Sequence, residues 1–189
     1  MGRDLAEGAR RGHTRAVNRA YALATTAAVL LSACSSSGTT DPSAAGTPPA
    51  DFCDAMASAA TTGSPAVEAL NALFDTIDTM GAGATEGDLD ALHTVGTDAV
   101  STASLYAAAL TNASALAPAG STADVDTLSD YWTLYVVGLG QIAETAPTYG
   151  SLIDQMDALQ ASDTAAALIS DQPAAQQRVN DAYIAECSS

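Results

Sequence analysis

Apolar residues recur at steps of three and four along most of this chain, which is the spacing of one helix face. Over residues 65–80 the stripe is Val67, Leu70, Phe74 and Ile77. Ser64 is placed to N-cap it, Pro65 suits the first helical position, and Gly81-Ala82-Gly83 ends it. From Glu86 the stripe runs Leu89, Leu92, Gly96, Ala99, Ala103, Tyr106, Leu110 and Ala113, one long helix stopped by Pro118-Ala119-Gly120. From Asp124 it runs Val125, Leu128, Trp132, Tyr135, Leu139 and Ile142, closed by Pro147. Residues 149–160 carry Tyr149, Leu152, Met156 and Leu159. A short helical turn with Leu168 and Ile169 follows, and a last helix begins near Pro173 with Val179, Tyr183 and Cys187. No segment shows the alternation of a strand. The pattern predicts an all-α domain over residues 51–189. Its expected form is an up-and-down antiparallel bundle of about four main helices, with a short extra helix over residues 52–62.

The first 50 residues do not fit that pattern. Five Arg lie in the first 19 residues, followed by a short apolar run, AYALATTAAVLLSA, over residues 20–33. The run is too short for a transmembrane helix, which needs about 20 apolar residues. A basic start, a short apolar run and small residues before a break describe a signal peptide over residues 1–33. The break is Leu31-Ser32-Ala33-Cys34, which resembles the bacterial lipobox. That resemblance implies a diacylglyceryl group on the Cys34 thiol and cleavage that leaves Cys34 as the new N-terminus. Residues 34–50 are rich in Ser, Thr, Pro, Gly and Ala and cannot form a core, so they read as a tether. A flexible tether of this length spans about 22 Å.

With Cys34 lipidated, Cys53 and Cys187 remain at the two ends of the predicted domain. An even remainder in an exported chain points to a disulfide between them. A catalytic Cys would need a His partner, and the only His beyond the leader is His93. Two Cys with no further Cys or His at short spacing do not make a zinc site.

Charge then narrows the partners. The chain has 6 Lys and Arg against 22 Asp and Glu, a net of −16. All six basic residues are Arg, so Schiff-base and Lys-assisted chemistry are excluded. From residue 34 onward a single Arg, Arg178, faces 20 acids (22 less Asp4 and Glu7), a net of −19. Such a surface repels phosphate backbones, so nucleic acid is not an expected partner.

Candidate chemistry is sparse. Glu86, Asp90 and His93 share part of a helix face and form a weak divalent-metal candidate. Acidic residues at a helix start, however, answer the helix dipole without a metal. No cofactor is expected. Tyr131, Trp132 and Tyr135 concentrate aromatic surface within five residues. They are core residues on the stripe or the lining of a groove for an apolar ligand or a sugar. Gly138 and Gly140 in the same helix suit close helix contact or a small cavity. No Gly-rich phosphate loop and no G-x-S-x-G elbow is present.

The ends of the predicted domain, Asp51-Phe52-Cys53 and the run VNDAYIAEC over residues 179–187, resemble a group of small secreted lipoproteins of high-GC Gram-positive bacteria. Those chains begin with an F-C pair after a Pro/Ser-rich tether and finish with a V-x-x-A-Y helix and a terminal Cys. The resemblance implies location and architecture and no mechanism. The functional expectation is therefore a non-catalytic helical module on the outer face of the bacterial plasma membrane, held through Cys34. It would bind an envelope protein, a wall component or an apolar ligand. The alternatives are a structural or stress-related envelope protein with no ligand and, third, an enzyme using carboxylates.

Overall fold

The computed structural model describes residues 49–81 and 83–188. The lipobox residues Leu31, Ser32, Ala33 and Cys34, the signal peptide and most of the tether lie outside the described residues. All regular structure among the described residues is helical: α1 (Phe52–Thr79), α2 (Glu86–Leu116), α3 (Thr122–Asp130), a π-helical segment (Tyr131–Val136), α4 (Val137–Thr145), α5 (Tyr149–Ala161) and α6 (Asp163–Cys187). The segment α3–π–α4 is unbroken, so five helical rods pack together. None of the described helices is long and apolar enough to cross a membrane.

Three features differ from the sequence pattern. First, no separate helix covers residues 52–62, because α1 runs through Gly63-Ser64-Pro65. Its buried positions Phe52, Met56, Ala59, Gly63, Ala66, Leu70, Leu73 and Ile77 follow steps of four and three without a break. A proline inside a helix costs about 3 kcal/mol through a lost hydrogen bond and a crowded carbonyl. Burying Phe52 and Met56 on the same face gains about 1.5–3 kcal/mol each, so the continuous stripe wins. Thr61, whose carbonyl has no Pro65 N–H to accept from, is exposed. Second, the same happens at Pro173, which sits inside α6 instead of starting a helix. The buried residues Ala165, Gln172, Ala175, Gln176 and Val179 lie on both sides of it.

Third, the helix predicted from Asp124 to Ile142 changes register midway. In the π segment the Val137 N–H donates to the Trp132 carbonyl, five residues back. One extra residue is thereby taken into the turn. Tyr131, Trp132, Tyr135 and Val136 are all buried within it. Beyond the segment the core position passes from Ile142, which is half-buried, to Ala143, which is fully buried.

Local chemistry sets the ends. Asp51 caps α1 by accepting from the Asp54 N–H at 2.9 Å. Thr85 and Asp88 form a reciprocal capping box at the start of α2. Thr148 caps α5, and Ser162 both ends α5 and caps α6, which permits the turn between them without a loop. In the assembly α2 is central. It packs against α1 along one side and against α3, the π segment and α4 along the other. Helix α6 lies on α3 and the π segment, and α5 rests between α4 and α6.

Candidate functional site

The predicted aromatic trio is assembled in the fold and is turned inward. Tyr131, Trp132 and Tyr135 are 8%, 4% and 4% exposed. At positions i, i+1 and i+4 the three rings fall within about 100° of the helix axis and so share one face. Tyr131 meets Trp132 edge-on at 6.1 Å between centroids and Tyr135 at 5.4 Å in a tilted contact. A fourth ring completes the cluster: Tyr106 of α2 stands edge-on to Trp132 at 4.9 Å. Sequence reading placed Tyr106 on the α2 stripe but could not pair it with Trp132. Its ring also fills the space over Gly63 of α1, where a Cβ would come within 3.1 Å of it.

The hydroxyls of this cluster are strongly perturbed. Burial pushes the Tyr106 phenol up to about 12. Burial also raises Tyr131, with the neighbouring Tyr135 adding to the shift. Burial takes Tyr135 to about 12, partly offset by a hydrogen bond from Gln160 of α5. All three stay neutral at physiological pH, so the cluster presents rings and neutral hydroxyls and no charge.

Gly138 and Gly140 resolve to close contact. A Cβ on Gly140 would lie 2.8 Å from the Val100 Cγ2 and 3.1 Å from the Gly96 carbonyl oxygen. A Cβ on Gly96 would lie 2.6 Å from the Glu144 backbone nitrogen. Helices α2 and α4 therefore touch backbone to backbone at a Gly96–Gly140 crossing. Gly138 faces α5, where a Cβ would sit 3.3 Å from the Leu159 Cδ2.

The weak metal candidate does not assemble. Glu86 and Asp90 are exposed on the first turns of α2. His93 is half-buried, and its Nε2–H donates to the Ala146 carbonyl at the end of α4, 3.0 Å away. That bond ties the start of α2 to α4 and engages the ring in a structural role. Among the described residues no three His, Cys, Asp or Glu side chains gather where they could hold a metal ion.

Cys53 and Cys187 are joined by a disulfide with Cα atoms 5.6 Å apart, linking the first turn of α1 to the last turn of α6. Polar contacts that sequence reading missed lie in the same half of the domain. Arg178 of α6 grips Asp124 of α3 with three hydrogen bonds of 2.7–2.9 Å. Asp124 is 15% exposed and Arg178 58%. The Ser114 hydroxyl donates to the Asp126 carboxylate. The Thr111 and Ser129 hydroxyls lie 2.8 Å apart, and both reach the Ala107 carbonyl. Hydroxyls at helical spacing carry no sequence signal that distinguishes them from a solvated face.

Compared with known proteins, the chain matches no family model, no curated protein and no solved structure.

Proposed function

We propose that this protein is a non-catalytic helical module of the bacterial cell envelope, tethered to the outer face of the plasma membrane through a lipidated Cys34. The observation that carries the reading is the Cys53–Cys187 disulfide, because such a bond persists in an exported protein and is rare in a reducing cytosol. The Leu31-Ser32-Ala33-Cys34 run and the Ser/Thr/Pro tether supply the rest. One acyl chain gives marginal membrane binding, and the two or three of a lipoprotein give stable anchoring. In this reading the fold is an up-and-down bundle of α1, α2, α3–α4 and α6, with α5 as a brace. Three links support that order: Cys53 with Cys187, Asp124 with Arg178, and His93 with Ala146. The module would engage an envelope protein, a wall component or an apolar ligand.

Replacing Cys34 tests the anchor. Cys34→Ala should move the protein from the membrane fraction to the soluble fraction, and retention in the membrane would reject the lipid anchor. Non-reducing peptide mass spectrometry should recover Cys53 joined to Cys187; free thiols at both would reject export into an oxidising compartment.

A second reading, a spacer or structural envelope protein without a ligand, is favoured by one observation. The aromatic trio packs on itself and on Tyr106 inside the core. Trp132 emission separates the two for apolar ligands. A shift on adding long-chain fatty acid supports a ligand site at the cluster, and an unchanged spectrum supports the spacer.

A further inference from the structure

We propose that the π segment is a register device, one residue taken up between two fixed points on α2, whose product is the docking of α5 through Tyr135. The first fixed point is Trp132, held edge-on against Tyr106 of α2. The second is Gly140, pressed against Gly96 of the same helix. A plain α-helix starting from Trp132 would carry Leu139 to the crossing, because without the extra residue each later position is filled by the residue before it. Leu139 cannot occupy a place where even a single Cβ would fall 2.8 Å from Val100. Nor can the upstream half yield instead. Sliding α3 by one residue would put Asp126 in the buried place of Val125 and pull Asp124 from Arg178. The helix is locked from both sides and absorbs the mismatch as a π turn.

The mismatch has a use. An α-helix that joined the two fixed points with one residue fewer would bury Val136, Gly140 and Ala143 as now. It would place Tyr135 two residues after Trp132, about 200° around the axis and out of the core. The extra residue keeps Tyr135 inside beside Tyr131, within reach of Gln160 of α5. Helix α5 buries only Leu152 and Met156 and lays Leu159 over Gly138, so the Tyr135–Gln160 tie adds a polar hold to a small apolar one. The residue the device can spare is Thr133, which is exposed within the segment.

Deleting Thr133 tests this by hydrogen exchange on the full chain with its disulfide intact. Fixed points and core are kept, so α1, α2 and α3 should retain their protection. Amides of residues 149–161 should exchange about tenfold faster or more. Deleting Thr127, which no π turn compensates, should lower protection everywhere. The proposal is overturned if deleting Thr133 unfolds the domain as fully as deleting Thr127, or leaves α5 exchange unchanged. Tyr135→Ala, which retains chain length, should loosen α5 in the same selective way; equal loosening of α1 and α2 would also overturn it.

Discussion

The two ends of α2 are held by different physics. At its C-terminal end the neighbours are linked by directed bonds: the Cys53–Cys187 disulfide, the Arg178–Asp124 grip, and the Ser114, Thr111 and Ser129 hydroxyls. At its N-terminal end the neighbours are held by proximity, through the Gly96–Gly140 crossing, with His93 and the Thr85–Asp88 capping box as the polar additions. The bonded end depends on chemistry. The close-packed end tolerates no volume and depends little on chemistry. A sequence so rich in Ala and so poor in cations has few other means of joining helices.

The largest expected effect comes from breaking the bonded end. Removing the disulfide with Cys53→Ala and Cys187→Ala opens a 134-residue loop closure and should cost about 3–5 kcal/mol in denaturant unfolding. Hydrogen exchange should rise first in the opening turn of α1 and the closing turn of α6. Equal loss around Gly96 would show that the two ends are not separable. Gly96→Ala attacks the other end. Its methyl group would meet backbone at 2.6 Å, and the strain should cost about 1–3 kcal/mol or more, with exchange rising at α4 before it rises at Cys53. A neutral Gly96→Ala variant would refute the close crossing.

Smaller changes sharpen the contrast. Ser129→Ala removes one of two hydroxyls on the Ala107 carbonyl and should cost about 1 kcal/mol, since Thr111 keeps the carbonyl paired. The smallest effect belongs to Asp88, whose carboxyl is held below its usual range by the Thr85 backbone N–H and hydroxyl. A lowered carboxyl stabilises the fold above its ordinary pKa, and the contribution is lost as pH falls through the lowered value. Acid titration followed by NMR should show α2 fraying from Thr85 at a pH where the interior of the helix is still ordered. A Thr85→Ala variant should remove that difference.

The legible part of the fold was what repeats. The stripe on α2, Leu92 through Ala113, is buried nearly as read, and the Cys count led directly to the Cys53–Cys187 pair. Misreadings arose where a local signal met a tertiary one. Pro65 and Pro173 are strong boundaries in isolation, yet each lies on the outer side of a helix whose inner stripe continues past it. The register change at Tyr131 had no signature because its cause, the crossing with Gly96, sits about 40 residues away on another helix. The aromatic trio was legible as a group. That Tyr106 and Gly63 complete its enclosure depends on helix pairing, which one chain's spacing does not encode.

Arg178 and the disulfide together decide how the domain meets a protease that cuts after basic residues. From residue 34 onward the chain offers such an enzyme one target, set within a helix with its guanidinium occupied by Asp124. If the bond after Arg178 were cut, the short C-terminal piece would still be held to α1 by Cys187. A nick there would leave the fragments covalently attached, so the domain resists dismemberment at the sole place where such an enzyme could begin.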